Sequence, residues 1–283
     1  MRKLFLTLCI ASCVGLLFGC SQGGQPADSS EPSAKDGVLE ATIVDGSEEH
    51  MLLLAGEDKE DVYLLGTDSL PVTVDKKKAD ASALKDGMHV TVRFDGSVEK
   101  TFPMSLNDPT SIEARTSDSS DGKETPYFDL CGLYLQVLND LVAVHPEWDG
   151  DQITYYSFDL STAPGGLSEG EKTALCWKFA VDHKKTPLFK DLDTLLEEEY
   201  LDLIYIDGVP TEHPQLHEWN DGRLFSIKKA TGYDDETYPD LHFDASVWQN
   251  PEQSTYFSGC GAKWQSPEKL PTYEVIAQFD GVF

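Results

Sequence analysis

Three features of the sequence predict an α+β fold, with a small N-terminal β-barrel followed by helices packed on an antiparallel sheet. Residues 37–115 hold short apolar runs broken by Asp-Gly and Lys-Asp-Gly turns, the pattern of short strands. A polar stretch follows at 116–126. Beyond it, apolar residues recur first at helical spacing and then in strand-like runs. The chain has 283 residues, 40% of them apolar, which suits about two domains of ordinary size.

Charge narrows the function classes. Against 22 Lys+Arg stand 50 Asp+Glu, a formal charge of −28. Such a chain repels phosphate backbones and anionic headgroups, so nucleic-acid binding and electrostatic docking on acidic lipid are both excluded as expectations.

In chain order, the first element is a secretory signal. Arg2 and Lys3 form its positive end, and Leu4 to Phe18 run almost without a polar side chain. The run is short for a membrane span, which needs roughly 20 apolar residues. Leu17, Phe18, Gly19 and Cys20 resemble the lipobox of bacterial lipoproteins, in which the cysteine receives diacylglycerol; Phe18 stands where that pattern has a smaller residue. Ile10, Ala11, Ser12 and Cys13 fit the same pattern, but modification there would leave Val14 to Phe18 as a greasy mature terminus. The resemblance therefore implies a signal peptide over 1–19 and lipidation at Cys20, with a membrane as partner. At least two acyl chains would hold the protein stably where one would not. Residues 20–36, rich in Gly, Ser, Pro and Gln, then read as the lipidated end and a flexible tether.

Cys9 and Cys13 would leave with the signal, so Cys131, Cys176 and Cys260 remain beside Cys20. None has CxxC spacing. One disulfide with a free thiol and three free thiols are both compatible with the count.

Within 37–115 the strand runs are Val38 to Val44, His50 to Ala55, Val62 to Leu65 and His89 to Phe94, with Asp95-Gly96 as a hairpin signal. Several short strands in so few residues favour a barrel over a sandwich. The stretch Leu84 to Val92, followed by Asp95-Gly96 and Thr101-Phe102-Pro103, is similar to the small OB-like barrels of lipoproteins from Gram-positive bacteria. That likeness implies an OB-like fold and no agreed activity. Acidic side chains here outnumber basic ones two to one, so the single-strand binding of other OB folds, which needs a positive groove, does not transfer.

Residues 116–126 read as a linker, and 127–283 as an α+β domain. Leu130, Leu133, Tyr134, Val137, Leu138, Leu141 and Val144 lie on one helical stripe, ended by Pro146. A strand is expected over Ile153 to Leu160, helices over Ser168 to His183 and Leu192 to Tyr200, and strands over Leu224 to Lys228, Leu241 to Trp248, Ser254 to Trp264 and Tyr273 to Phe279. The segments at 129–134, 167–172 and 221–226 resemble cell-surface lipoproteins of anaerobic Gram-positive bacteria whose activity is uncharacterised.

Few motifs carry chemistry. Gly166 to Gly170 matches G-x-S-x-G, but five residues, Pro164 among them, separate it from the strand, whereas a nucleophile elbow turns directly off one. Ser168 and Glu171 instead fit a capping box. His213 and His217 are four apart, yet Pro214 disfavours helical geometry at His213 and so opposes a shared zinc. Acidic clusters at 149–151, 191–193, 197–199 and 234–236 lack the EF-hand pattern. No Walker A or dinucleotide fingerprint occurs, so no cofactor is expected. Trp148, Trp219 and Trp248 are the candidate ligand-stacking residues, while Trp177 reads as core.

The expected function is a membrane-anchored extracytoplasmic lipoprotein acting as a non-catalytic interaction or scaffold module, with an unknown protein or glycan partner. A solute- or glycan-binding lipoprotein is the first alternative and a cation-dependent or hydrolytic surface enzyme the second.

Overall fold

Local turn chemistry divides the N-terminal half into nine short strands: β1 (Gly37–Glu48), β2 (Met51–Gly56), β3 (Val62–Gly66), β4 (Val72–Val74), β5 (Lys77–Ala79), β6 (His89–Phe94), β7 (Val98–Glu99), β8 (Met104–Leu106) and β9 (Ser111–Arg115). The computed structural model describes residues 37–48, 51–56, 60–116, 129–203, 217–232, 241–263 and 271–281. All of them fall within one compact unit.

These strands form a single sheet in the order β5-β4-β9-β6-β1-β2-β3-β8-β7. The closed OB-like barrel expected from the sequence is not formed among the described residues. Closure requires the two outermost strands to pair, and turn signals carry no information about that. Here one edge strand, β5, presents the exposed Lys77 and Lys78, a charged rim that discourages further pairing. The other, β7, has only two residues. Asp95-Gly96 does not close a hairpin either, since β6 pairs with β1 and β9 while β7 pairs with β8. It makes a corner in which Ser97 N–H and Oγ both donate to Asp95 Oδ1. The tight hairpin is instead β4–β5, where Asp75 and Lys76 both take positive φ between Val74 and Lys77. Positive φ at both central positions is the mirror-image turn that matches strand twist.

β1, β2 and β3 are buried on both faces. Ala41, Ile43, Leu54, Tyr63 and Leu65 point into the first sheet's own core, while Val44, Leu53, Ala55 and Val62 pack with Cys131 and Ala174 on the other side. Two-faced burial is why these strands read as nearly continuous apolar runs rather than alternating ones.

The second half supplies α1 (Leu130–Val144), β10 (Tyr155–Asp159), α2 (Glu169–Asp182), β11 (Thr186–Leu188), α3 (Leu192–Glu197), β12 (Asp202–Leu203), β13 (His217–Glu218), β14 (Gly222–Lys229), β15 (His242–Trp248), β16 (Ser254–Lys263), β17 (Thr272–Glu274) and β18 (Ala277–Asp280). Its main sheet has the order β11-β10-β14-β15-β16-β17, with β18 also on β16. The sheet is mixed, not antiparallel: β10 pairs in parallel with both β11 and β14. α2 lies between β10 and β11 in the chain, and a crossover of that kind returns the second strand parallel to the first. Among the described residues 43% are strand and 21% helix, so this part of the protein is mostly β, and the predicted balance of helices packed on an antiparallel sheet is corrected accordingly.

α1 and α2 cover one face of this sheet, burying Leu133, Tyr134, Val137, Phe179 and their neighbours against Tyr156, Phe158, Phe225, Phe243 and Phe257. The opposite face carries Trp219, Trp248 and Leu224 beneath Leu195 of α3. Gly222 begins β14 because the Trp219 ring lies where a Cβ would stand.

The proposed division at 116–126 rests on composition, and most of that stretch lies outside the described residues. On that division, limited proteolysis should cut first between Thr116 and Pro126. Because Val44, Leu53, Ala55 and Val62 are buried against α1 and α2, the two pieces should co-elute on native size exclusion and part only in denaturant. A first cut inside 241–263 would overturn this expectation.

Candidate functional site

Among the described residues, two clusters of ionisable side chains withdrawn from water sit at layer boundaries. The first is at one end of the contact between α1, α2 and the mixed sheet. α1 ends at His145, and Pro146 opens a 3-10 turn that runs to Trp148 and delivers Asp149. β10 and β14 pair Tyr156 with Arg223, so these two side chains share one sheet face. The last turn of α2 adds His183, followed by Lys185.

Within this group the hydrogen bonding is incomplete. Lys185 Nζ donates to the carbonyls of Gly150 and Ile153 at 3.2 and 3.0 Å and stands 3.6 Å from Asp149 Oδ1. His183 Nδ1 lies 3.7 Å from Asp149 Oδ2. His145 stacks on Trp148 with ring centroids 3.9 Å apart, and its Nδ1 is 3.1 Å from Glu147 Oε1. Yet Arg223, only 2% exposed, has no partner for Nε or Nη2. Tyr156 Oη and Asp149 Oδ1 are likewise shielded from solvent without a hydrogen bond, as is Gln249 Oε1, one residue past the Leu224–Trp248 pair of the next strand.

Burial lowers the Arg223 pKa, opposed by Asp149, Tyr156 and Glu147; a guanidinium nevertheless stays charged in a protein. Burial would raise the Asp149 carboxyl, but His183, Tyr156, Lys185 and Arg223 together hold it below the ordinary carboxylate range. Burial, with Asp149 adding to it, pushes the Tyr156 phenol up. Asp149 and Tyr156 therefore lie near enough to shift each other's titration, although Tyr156 Oη and Asp149 Oδ1 miss strict hydrogen-bond geometry. An unmatched buried donor costs roughly 1–3 kcal/mol, more when charged, so Arg223 is the most expensive unsatisfied group here.

The second place lies between the first sheet and the helices. Lys178 Nζ on α2 is 2.9 Å from both Asp45 Oδ2 and Asp182 Oδ2. Gly46 N–H donates to Asp86 Oδ1 at 2.8 Å, and Gly132 N–H donates to Asp129 Oδ1 at 2.7 Å, which caps α1. Burial raises Asp86, with Asp45 adding to it. Burial also raises Asp129, to about 7, with Asp86 and Asp45 contributing. Among the described residues no group of three or more His, Cys, Asp or Glu is placed to hold a metal ion.

The residues singled out from the sequence are scattered. Trp219 is fully buried and Trp248 is 8% exposed, both in the cluster under α3, so neither offers an open ring face there. Trp148 lies apart from them, stacked on His145. Cys20, His213, Trp264 and the 234–236 acidic run lie outside the described residues. Ser168 and Glu171 form the capping box: Glu171 N–H donates to Ser168 Oγ at 3.1 Å and Ser168 N–H to Glu171 Oε2 at 2.7 Å. Cys131, Cys176 and Cys260 are free and buried. Burial pushes all three thiols up, Cys260 to about 12, which suppresses the reactive thiolate.

Sequence reading missed Arg223 and Tyr156. An arginine between Gly222 and Leu224 in a strand signals nothing by itself; its burial follows from the strand's place in the middle of the sheet. No protein family model matches the chain, and no curated protein matches it.

Two outcomes are expected. Ser168→Ala should lower stability by about 0.5–2 kcal/mol, read by denaturant unfolding, through loss of the cap; an unchanged midpoint would deny the cap its role. Asp129 has a folded pKa above its unfolded value, so its ionisation penalty is fully present above about pH 7 and is relieved as pH falls towards the unfolded value near 4. Asp129→Asn, which retains a capping side chain, should raise Tm most at pH 8. The gain should shrink with falling pH at about 1.4 kcal/mol per unit below 7. A gain that does not vary with pH would place the raised pKa elsewhere.

Proposed function

We propose that this protein is a lipid-anchored extracytoplasmic lipoprotein whose β-rich body serves binding rather than catalysis. The observation that carries the reading is the N-terminal order: Arg2 and Lys3, an apolar run from Leu4 to Phe18, then Gly19-Cys20 and a Gly/Ser/Pro-rich stretch. Its likeness to bacterial lipoprotein signals supports diacylglycerol on Cys20. Among the described residues no helix is long and apolar enough to cross a membrane.

The groups that would act as nucleophiles have other duties. Ser168 Oγ is held by the capping box, and the three cysteines are buried with raised pKa values. A strongly acidic body would also be repelled from an anionic membrane, which favours reaching outward on a tether. The incomplete hydrogen bonding around Arg223 favours a particular form of this reading, a solute-binding lipoprotein.

Cys20→Ala should abolish incorporation of a fatty-acid analogue and leave a longer precursor that keeps the apolar run Leu4 to Phe18, since the thioether is the proposed anchor. Unchanged processing together with unchanged labelling would overturn the lipoprotein reading.

A further inference from the structure

We propose that Arg223 is the anchor of a binding site for a small carboxylic acid that also carries an amino or hydroxyl group. The inference rests on the solute-binding form of the function above and names its ligand class.

The argument begins with which arginine atoms are unpartnered. Nε and Nη2 lie on the same edge of the guanidinium, and their N–H bonds run parallel. Both are shielded from solvent and neither meets an acceptor. That edge is the two-pronged donor that a carboxylate matches with its two oxygens. Elsewhere the protein has no shortage of carboxylates, yet the one facing Arg223 most strongly, Asp149, approaches without an ion pair. Asp149 is engaged by His183 at 3.7 Å and Lys185 at 3.6 Å, which keeps it ionised beside the fork.

Charge then limits the ligand. Arg223 and Lys185 are offset by Asp149 and by Glu147 from the same turn. One additional negative charge is tolerable there; a phosphate dianion would meet two carboxylates at close quarters in a chain of net charge −28. The second unmet demand is of opposite sign. Asp149 Oδ1 is an acceptor with no hydrogen-bond donor, and Tyr156 Oη beside Arg223 in the β10–β14 register completes no bond. A ligand with an ammonium or hydroxyl a short distance from its carboxylate would satisfy the fork and the Asp149 acceptor together. The aromatic walls supplied by Phe179 and Phe225, whose rings lie 5.4 and 4.7 Å from Tyr156, exclude water and strengthen both contacts.

Thermal unfolding of the full chain in detergent, at constant ionic strength, tests this with acetate, glycine, phosphate and chito-oligosaccharide as probes. Glycine should raise Tm with concentration, by about 2–4 °C once several-fold above its Kd, and acetate should do so less. Arg223→Lys, which keeps the charge and loses the fork, should remove both responses, and Asp149→Asn should remove the advantage of glycine over acetate. Should Arg223→Lys not fold, the wild-type side-chain signal of Arg223 Nε–H decides, since a carboxylate on the fork shifts it downfield on titration with glycine. No response to glycine or acetate by either measurement, an equal response in a folded Arg223→Lys, or a phosphate response as large as that of glycine overturns the proposal. If only the oligosaccharide raises Tm, the carboxylate class is wrong while solute binding stands; if no probe acts, both fail. The anchoring at Cys20 is untouched in either case.

Discussion

Helices α1 and α2 carry apolar side chains on two sides, and covering both sides dictates where each sheet lies. Tyr134, Leu138, Leu175 and Phe179 need the mixed sheet, while Cys131 and Ala174 need β1, β2 and β3. A helix apolar on one stripe is satisfied by one partner; one that is apolar on opposing sides must be enclosed. The result is a helical layer with a sheet on each side. β1 to β3 pay the corresponding demand by being apolar on both of their own faces.

Enclosure has an electrostatic consequence. Polar residues at the margins of the helical layer lose water whether or not they find partners. Between the first sheet and the helices the protein resolves this with a cation: Lys178 bridges Asp45 and Asp182, and although burial opposes its charge, the two carboxylates leave the lysine more firmly protonated than usual. Asp86 and Asp129 there rely on backbone N–H donors instead, and their raised pKa values record the remaining cost. At the other margin Arg223 is enclosed without that resolution. A buried cation with two unmatched donors is retained in a fold only against a standing penalty, larger than that of neutral unmatched groups such as Trp219 Nε1 and Gln249 Oε1.

Much of the local structure was legible from the sequence because it depends on neighbours in the chain. The stripe from Leu130 to Val144 is α1, and Ser168 with Glu171 starts α2 as a capping box. The apolar runs at 38–44, 62–65, 89–94, 224–228 and 241–248 lie in β1, β3, β6, β14 and β15. What was not legible is how strands pair. Thr186–Leu188, with a proline in its centre, has no strand signal, yet it lies parallel to β10 because α2 returns the chain there. Asp95-Gly96 carries the strongest hairpin signature and makes a corner, while Asp75-Lys76, with no glycine, makes the hairpin.

The candidate site divides in the same way. Charge, the apolar run at 4–18 and the cysteine at position 20 are properties of the chain as written, so the proposal of lipid anchoring rests on them without reference to a fold. Whether a tryptophan is a platform or a core residue is a matter of what covers it, and the tertiary structure placed Trp219 and Trp248 inside. Whether an arginine is solvated or enclosed is decided by the strands on either side: β10 and β15 flank β14, and the ends of α1 and α2 complete the enclosure around Arg223. Sequence determines local conformation because backbone sterics and side-chain spacing act over a few residues. Closure of the sheets, burial of Arg223 and the chemistry around it arise from contacts between residues far apart in the chain, which only the folded protein brings together.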